Sequence, residues 1–440
     1  MERLIARIAS RQAVIGVVGL GAVGLTVATA LAAAGFRVLG VDRDAELVAK
    51  VSAAMCPVVG AEPELGELLA RVVGSRHLAA STHFGPLAEA DVILIAVDTP
   101  VASDRRPDLR SLRASCEQIG KVIQRGALVV VESTVAPGTC ANVVCPSLQG
   151  ASGLRLDEGF FLGHCPERVM PGKLLANLRE MPRACGGSSP ATRDAMVALY
   201  GTIVRGRLDP CDCVTAELVK TAENAFRDVS IAFANELASI CERTGADFAR
   251  VRELVNRPPG REVLWAGGGV GGACIPKDPW LLAHAARGES FEVPKLIAAA
   301  RDVNDAMPLH VARLVKEGLA QAGVAVTGSR IVVLGYSYLE NSGDTRGSPT
   351  KALIDHLQAW GADVAIQDPW VPGYEGDLYA AARRANAAVL MVAHEAYRGL
   401  DLPRLARSLA TPVLVDARFL VEPDAARRAG FVFRGVGRGA

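Results

Sequence analysis

The feature that most constrains this 440-residue chain is a glycine pattern near its N-terminus. A GxGxxG pattern stands between an apolar run, Ala13–Leu20, and an alanine-rich segment, Ala22–Ala34. The run is typical of a buried parallel strand and the segment of a helix, and glycines between them let a pyrophosphate approach the helix N-terminus. The pattern predicts a dinucleotide-binding βαβ unit, with these residues in contact with the cofactor: Gly19, Gly21, Ala22, Val23 and Gly24.

An aspartate at the end of the next strand indicates which dinucleotide is bound. Asp42 ends the apolar run Phe36–Asp42, about 20 residues after the glycines. A carboxylate at this position accepts a hydrogen bond from the ribose 2′-OH, which favours NAD over NADP. Arg43 is also expected to touch the cofactor, and because an arginine can meet a 2′-phosphate, NADP stays open. A plain tight turn is the alternative for the glycines.

Two further apolar runs are each followed by polar residues. Asp91–Val97 precedes Thr99 and Pro100, and Ala127–Glu132 precedes a segment that contains Thr134. In an open α/β sheet, ligands bind outside the carboxyl ends of the strands. We therefore expect these residues at the ligand edge, although either segment taken alone could be a turn or a helix cap.

The residues from Val214 to Thr244 include neither glycine nor proline and predict one long helix, with a broken pair of shorter helices as the alternative. Lys220 and Asn224 are four residues apart and project from one face, and Glu217 and Arg227 lie on neighbouring turns. Taken alone, these side chains could form a solvated face with a Glu–Lys pair.

A second α/β pattern follows in the C-terminal third, with predicted strands at Arg330–Gly335, Ala362–Asp368, Ala387–Ala393 and Pro412–Asp416 and a helix at Pro349–Trp360. The fold class is therefore α/β, with two Rossmann-like doubly wound sheets joined by a long central helix in an all-α middle domain. We expect an NAD-binding domain at 1–205, a helical dimerisation domain at 206–315, and a second Rossmann-like domain at 316–440.

A cysteine lies in a glycine-dense loop between the two α/β patterns. Cys274 ends the loop 266–274, and Lys277 and Asp278 follow almost at once. Flanking glycines let a substrate approach both the backbone and the sulfur, although a lone cysteine is more often a small buried apolar residue than a nucleophile.

Composition excludes several classes of protein. A formal net charge of +1 provides no general field for nucleic acid or an anionic membrane. The N-terminus lacks the apolar core of a signal peptide, and no run approaches a membrane span. The ten cysteines show no paired spacing, and Cys211 and Cys213 are too close for a zinc knuckle. We expect a cytoplasmic protein with reduced thiols and no metal.

Together these motifs resemble the nucleotide-sugar 6-dehydrogenase family, which includes UDP-glucose, GDP-mannose and UDP-N-acetylmannosamine dehydrogenases. The resemblance covers nearly the whole chain, and it rests on the glycine pattern and on DTP (98–100), ESTVAPGT (132–139), CPERVMPGK (165–173), ELVKTAENAFRDVSIAFANE (217–236), GGACIPKDPW (271–280), GDTRGSP (343–349) and Asp416-Ala417-Arg418.

The resemblance implies a role for each matching residue. It makes Cys274 the nucleophile, Lys220 and Asn224 the pair that stabilises an oxyanion, and Asp278 the carboxylate beside them. It makes Glu167 the acid/base and places Thr134 at the nicotinamide and the catalytic water. Further implied cofactor contacts are Thr99, Pro100, Lys277 and Arg346. The implied substrate contacts are Glu167, Arg168, Val169, Lys220, Asn224, Arg227, Arg261, Gly271, Tyr338 and Arg418.

The resemblance also implies a function: NAD-dependent four-electron oxidation of the C6 hydroxymethyl of a nucleotide sugar, through a thioester on Cys274, for polysaccharide biosynthesis. It further implies a homodimer or higher homo-oligomer through the central helix. Arg168 and Pro171 stand where UDP-glucose enzymes more often carry aromatic and acidic residues, which favours a UDP-N-acetylhexosamine, particularly UDP-N-acetylmannosamine. Leu339 stands where the family usually has a lysine, and Ala273 stands where the N-acetyl branch often has a histidine.

Three alternatives remain open at this point. The first is oxidation of UDP-glucose by the same chemistry. The second is a two-electron hydroxy acid dehydrogenase, which would share the Rossmann domain and a long helix but need neither Cys274 nor a third domain. The third is a non-catalytic nucleotide-sugar-binding protein, against which the intact set of reactive side chains argues.

Overall fold

A computed structural model describes residues 1–58, 62–286 and 294–438. The chain forms two compact units. The first comprises the described residues of Met1–Glu223 and Trp280–Phe291, and the second those of Asn224–Pro279 and Glu292–Ala440.

The first unit alternates strands and helices from its N-terminus. Its elements are α1 (Glu2–Ala9), β1 (Val14–Val18), α2 (Ala22–Ala33), β2 (Arg37–Val41), α3 (Ala45–Ser52), α4 (Pro63–Gly74), β3 (Leu78–Ser81), β4 (Val92–Ile95), α5 (Arg110–Gly120), β5 (Ala127–Val131), α6 (Cys145–Ser152), β6 (Phe160–His164), α7 (Leu174–Glu180), β7 (Arg183–Gly187), α8 (Pro190–Tyr200), β8 (Leu208–Cys211) and the beginning of α9 (Cys213–Thr244). This unit also has a short 3₁₀ segment at Gly85–Glu89 and a π-helical turn at Cys140–Val144. Another short 3₁₀ segment, Glu395–Tyr397, belongs to the second unit.

The strands of this unit form one sheet in the order β3-β2-β1-β4-β5-β6-β7-β8. All neighbouring strands are parallel except β6 and β7, which pair antiparallel through Gly163 with Gly187 and His164 with Gly186. The first six strands have the order of a Rossmann fold. Apolar side chains of β1, β4 and β5 are buried on both faces, as expected for a sheet covered by helices on both sides.

The second unit contains a helical part and a second sheet. Its elements are the remainder of α9, α10 (Phe248–Asn256), the first residues of α11 (Asp278–Ala285), α12 (Lys295–Gln321), β9 (Arg330–Leu334), α13 (Pro349–Ala359), β10 (Asp363–Gln367), α14 (Leu378–Ala381), β11 (Ala387–Leu390), α15 (Leu402–Ser408), β12 (Val413–Asp416), α16 (Pro423–Arg428) and β13 (Val432–Gly435). The five strands are parallel, in the order β10-β9-β11-β12-β13, which is doubly wound.

The predicted fold class is confirmed, with two doubly wound sheets and a helical region between them in sequence. The long helix is one continuous element of 32 residues, so the alternative of two shorter helices is wrong. The domain limits 1–205, 206–315 and 316–440 stay a prediction. Among the described helices, none is both long and apolar enough to cross a membrane.

Candidate active site

The sequence motifs of the first unit lie at the carboxyl ends of four strands that are neighbours in the sheet. The glycine pattern follows β1, the segment with Thr99 follows β4, the segment with Thr134 follows β5, and the segment with Glu167 follows β6. Parallel strands bring these ends to one edge, as predicted for the motifs after β4 and β5.

The three glycines shape the turn between β1 and α2 in different ways. Gly19 has a φ of +91°, and a Cβ on Gly24 would stand 1.8 Å from the carbonyl oxygen of Gly19. Gly21 precedes the first residue of α2 and has no side chain to cap the helix, and a Cβ there would meet no atom within 4 Å. Gly19 and Gly24 are therefore required by the turn itself, whereas Gly21 leaves open space before the N–H groups of the helix.

A cavity of about 400 Å³ adjoins this turn. It is lined by Gly19, Gly21, Asp42 and Arg43, among others. The half-buried Asp42 accepts hydrogen bonds from the backbone of Leu20 at 2.7 Å and of Asp44 at 3.0 Å, and Arg43 is exposed. Uncapped helix N–H groups, open space at Gly21 and a carboxylate at the end of β2 fit a dinucleotide.

A carboxylate on α9 holds the segment after β5. The buried Glu217 accepts hydrogen bonds from the backbone of Gly138 at 2.5 Å and of Cys140 at 2.8 Å. Burial raises the pKa of Glu217, against the lowering effect of these bonds. Thr134 is tied in turn to the segment after β4, because the Thr99 hydroxyl donates to the Thr134 carbonyl at 2.6 Å. Glu217 is thus a positioning residue that the sequence interpretation left as part of a solvated face.

The segment after β6 carries the expected acid/base and substrate contacts. Glu167 is buried, and its carboxylate accepts a hydrogen bond from the backbone of Val169. Arg168 forms a two-pronged ion pair with Glu223, with Nε at 2.9 Å from Oε2, and its guanidinium also donates to the carbonyl of Pro182. The guanidinium of Arg168 is therefore already engaged by a carboxylate of α9.

Lys220 lies one turn before Asn224 on the same face of α9. Its side chain is only 6% exposed, and no hydrogen bond joins it to another described residue. An ammonium group that donates to no described residue can donate to a ligand oxygen instead. The position of Lys220 therefore suits the binding of a negatively charged oxygen.

In the second unit, the residues after the glycine-rich loop form a compact polar group. Asn224 donates to Asp278 at 2.5 Å, and the ammonium of Lys277 lies 3.1 Å from the other oxygen of this buried carboxylate. The carbonyl of Cys274 accepts from the backbone of Lys277 at 3.0 Å and of Asp278 at 2.8 Å. This turn brings together Cys274, Lys277, Asp278 and Asn224; the resemblance implies Asp278 beside Asn224, and Lys277 is the addition.

The thiol of Cys274 differs from the other cysteines in its exposure. It is exposed, whereas the remaining nine, all within the described ranges, are buried or half-buried. Burial raises the pKa of Cys116 to about 12 and also raises that of Cys145. Exposure is a requirement for a nucleophilic thiol, which these other cysteines meet less well.

The glycine-rich loop contacts the loop after β9. A Cβ on Gly271 would stand 2.6 Å from Cβ of Tyr338, and a Cβ on Gly272 would stand 2.8 Å from the Tyr338 ring. The Gly272 backbone also donates to the carbonyl of Arg346 at 3.0 Å. The side chain of Arg346 pairs with Asp344, which raises its pKa. The structure thus joins Gly271, Tyr338 and the backbone of Arg346.

The remaining expected substrate contacts are three arginines. Arg418 is half-buried, burial lowers its pKa, and its guanidinium stands 2.8 Å from where a Cβ of Gly267 would lie. Arg227 is exposed, and so is Arg261, whose guanidinium lies 3.4 Å from the carbonyl of Pro259. Of the three, Arg418 therefore lies beside the glycine-rich loop.

Comparison with known families assigns three successive segments of the chain. Residues 13–204 match the NAD binding domain of the UDP-glucose/GDP-mannose dehydrogenase family, residues 214–306 match its central domain, and residues 332–423 match its UDP binding domain. These matches cover most of the chain, so the resemblance to this family is confirmed.

Individual relatives agree over nearly their whole length. The chain is 35% identical to a UDP-N-acetyl-D-mannosamine dehydrogenase of Pyrococcus horikoshii, over 97% of this chain and 99% of the relative. It is 37% identical to an NDP-N-acetyl-D-galactosaminuronic acid dehydrogenase of Ralstonia solanacearum, over 92% and 95%. The solved structure of a Pyrococcus horikoshii UDP-D-ManNAc dehydrogenase superposes with a TM-score of 0.91 at 34% identity, covering 97% of this chain and 99% of that one. The chain therefore belongs to the UDP-glucose/GDP-mannose dehydrogenase family and is an NAD-dependent nucleotide-sugar dehydrogenase.

Proposed function

We propose that the chain oxidises the C6 hydroxymethyl of a UDP-N-acetylhexosamine, and specifically UDP-N-acetylmannosamine, to the uronate. The observation that carries the chemistry is the exposed thiol of Cys274 at the start of a turn whose carboxylate, Asp278, is bound by Asn224 and Lys277. The choice of substrate is supported by the names of the two relatives described above, both of which concern N-acetylated sugars.

The reaction proceeds by two oxidations and one hydrolysis. When bound, NAD would supply the hydride acceptor for each of the two oxidations. In the first, the C6 alcohol loses a hydride and a proton and becomes an aldehyde. The Cys274 thiol then gives up its proton and adds to the aldehyde carbon, and the aldehyde oxygen takes up a proton to form a thiohemiacetal. This thiohemiacetal loses a second hydride and a proton to become a thioester. Water cleaves the thioester, releasing the carboxylate and restoring the thiol.

Four polar groups assist these steps. Lys220 and Asn224 stabilise the negative charge that develops on the substrate oxygen, because they supply an ammonium and an amide from one face of α9. Asp278 assists proton transfer beside Cys274, and Glu167 is the acid/base for the alcohol and for the attacking water.

Two sets of residues bind and orient the ligands, and some of them also act in the chemical steps. In this proposal the cofactor contacts are Gly19, Gly21, Ala22, Val23, Gly24, Asp42, Arg43, Thr99, Pro100, Thr134, Lys277 and Arg346. The substrate contacts are Glu167, Arg168, Val169, Lys220, Asn224, Arg227, Arg261, Gly271, Tyr338 and Arg418. Arg168 would bind substrate with the face of its guanidinium that Glu223 leaves available.

The test is a substrate panel followed by a stoichiometry. The protein is incubated with NAD and each of UDP-N-acetylmannosamine, UDP-N-acetylglucosamine, UDP-N-acetylgalactosamine, UDP-glucose and GDP-mannose, and NADH absorbance is followed. We expect the largest kcat/KM with UDP-N-acetylmannosamine and two NADH per sugar consumed. A preference for UDP-glucose would overturn the substrate assignment, and one NADH per sugar would overturn the four-electron mechanism.

A variant separates the role of the thiol from that of the fold. Cys274→Ala is expected to bind NAD as the wild type does and to form no uronate, because the aldehyde is no longer captured. Binding is measured by calorimetry and the product by mass spectrometry. Uronate formation by this variant at an undiminished rate would remove Cys274 from the mechanism.

We also propose that the chain acts in the cytoplasm as a homodimer or larger homo-oligomer assembled through α9. Three apolar side chains on this helix, Phe226, Phe233 and Ile240, are spaced seven residues apart and are 75%, 56% and 52% exposed. Seven residues are close to two helical turns, so these side chains lie on one face. A second copy that presents the same face would bury them.

A further inference from the structure

Four buried polar side chains connect two helices of the second unit. Asp228 and Asn235 lie on α9, and Arg301 and Asn304 lie on α12. Each is at most 1% exposed. Such groups are unfavourable in a protein interior unless they satisfy one another, so their hydrogen bonds determine how they are arranged.

The hydrogen bonds lead from the glycine-rich loop to the Asp228 carboxylate. The backbone N–H of Gly267 donates to Asn235 Oδ1 at 2.9 Å, and Asn235 Nδ2 donates to Asn304 Oδ1 at 2.9 Å. Asn304 Nδ2 donates to the Asp228 carboxylate at 2.8 Å, and Arg301 donates to the same oxygen at 2.6 Å. A backbone N–H can only donate and a carboxylate can only accept, so both amides have a defined orientation.

The other end of the same loop is also held by α9. Asn224, one turn before Asp228, donates to Asp278 at 2.5 Å, and the Asp278 backbone donates to the carbonyl of Cys274 at 2.8 Å. The loop from Gly267 to Asp278 is therefore attached to one helix at both of its ends. The segment between these two attachments carries the thiol.

Because this loop is rich in glycine, the hydrogen bond between Gly267 and Asn235 is important for its position. Residues 267–269 and 271–272 are glycines and have no side chains with which to fix the loop by packing. Its position near Gly267 therefore depends on backbone contacts, of which the bond to Asn235 is buried and fully directed. Displacement of a nucleophile by about 1 Å is enough to slow a reaction strongly.

We propose that Asn235 is a positioning residue for the Cys274 thiol and acts through the backbone of Gly267. This inference rests on the proposed role of Cys274 in capturing the aldehyde. Without Asn235, the first oxidation continues, because removal of a hydride and a proton from the alcohol does not involve sulfur. Addition of the thiolate to the aldehyde is slowed, so aldehyde is released before the second oxidation.

The experiment counts NADH per sugar in two variants of the full-length protein. Asn235→Leu has nearly the same volume but makes neither hydrogen bond, and Asn235→Ala is smaller and serves if leucine prevents folding. We expect the ratio to fall from two towards one and an aldehyde to be trapped by a hydrazide reagent. A partly unfolded preparation lowers both oxidations together, so this ratio does not respond to a merely structural role.

A matched control is available on the second sheet. Asn386 makes the same pair of bonds, accepting from the backbone of Arg330 at 3.0 Å and donating to Thr411 at 3.3 Å, but outside the loop. Asn386→Leu is expected to keep a ratio of two. A ratio of two in both Asn235 variants would overturn the positioning role, whereas a ratio of one in the wild type would instead overturn the four-electron mechanism.

Discussion

The side-chain amide of Asn224 donates a hydrogen bond of 2.5 Å to the carboxylate of Asp278, whose other oxygen lies 3.1 Å from the Lys277 ammonium. This carboxylate is fully buried and is part of the turn that begins at Cys274. Its negative charge is therefore balanced by a donor from α9 and a cation from its own turn, and in the proposed mechanism it assists proton transfer beside Cys274.

We predict that Asp278→Asn lowers kcat by a factor on the order of 100 or more and leaves NAD affinity unchanged, because an amide cannot take up a proton. Steady-state kinetics and calorimetry measure the two quantities. The control is Asp355→Asn, which removes a carboxylate that also pairs with a lysine, Lys351, at 2.8 Å, but on the exposed side of α13. A kcat within about threefold of the wild type in the Asp278 variant would contradict a role in proton transfer.

The glycine turn offers two substitutions with opposite consequences. Gly21→Ala is expected to keep the unfolding temperature of the wild type and to weaken NAD binding about 10-fold or more, because the new methyl group enters the open space before α2. Gly24→Ala is expected to lower the unfolding temperature, because its Cβ would stand 1.8 Å from the Gly19 carbonyl oxygen. Thermal unfolding and NAD titration distinguish the two variants, and equal effects on stability would contradict this division of roles.

The carboxylate at the end of β2 is expected to select between the two nicotinamide dinucleotides. Asp42→Asn should lower kcat/KM for NAD about 10-fold and raise that for NADP, because a neutral amide no longer repels a 2′-phosphate and the exposed Arg43 can bind it. Adding Arg43→Ala should abolish the gain with NADP. If the single variant keeps the wild-type preference for NAD over NADP, Asp42 does not contact the ribose 2′-OH.

The exposed apolar face of α9 predicts the behaviour of the protein in solution. Phe233→Asp should convert an oligomer into a monomer, because a charge at the centre of the face cannot be buried against a second copy. Light scattering coupled to gel filtration measures the mass. Met55→Asp, at an equally exposed apolar position outside α9, should leave the mass unchanged. If the wild-type protein is a monomer, the proposed oligomer through α9 is wrong.

A buried histidine predicts loss of stability in mild acid. Burial lowers the pKa of His164, at the end of β6, from 6.5 to about 3. Between these values the unfolded chain binds a proton that the folded protein does not, so stability falls as the pH drops below 6.5. From pH 7 to pH 5 the wild type should lose about 2 kcal/mol more of its unfolding free energy than His164→Gln. Urea unfolding at the two pH values measures this difference, and parallel losses would contradict it.

Five strands were not predicted from the sequence: β3, β8 and β13, which lie at sheet edges, and β6 and β7, which are interior strands of the first sheet. β1, β4 and β5 are interior strands with continuous apolar runs, and they were predicted with one or two extra residues at their ends. β3 and β8 are the two edge strands of the first sheet. Each has a single neighbour, and β8 even contains a proline, so neither shows the apolar run that marks a strand covered on both sides.

The site shows a similar division. The resemblance grouped Cys274 with Lys220, Asn224 and Asp278; the structure bonds Asn224 to Asp278 in the turn that begins at Cys274, and it adds Lys277 beside that carboxylate. The roles of Glu217 and Asn235 could not be predicted, because their partners at Gly138 and Gly267 are remote in sequence and contribute only backbone N–H groups. One signal was present: Glu217, Asn224, Asp228 and Asn235 recur along α9 at spacings of seven, four and seven residues.

The close fit between the glycine-rich loop and Tyr338 has a consequence for engineering. Gly271 and Gly272 leave no room for a side chain against this tyrosine, and Gly269, with a φ of +127°, adopts a conformation that is essentially confined to glycine. In a chimaera that takes only the loop of a relative, or only the segment that faces it, the two surfaces would not fit, because any side chain in place of Gly271 or Gly272 would clash with Tyr338. Residues 266–278 and 336–349 should therefore be exchanged as one cassette.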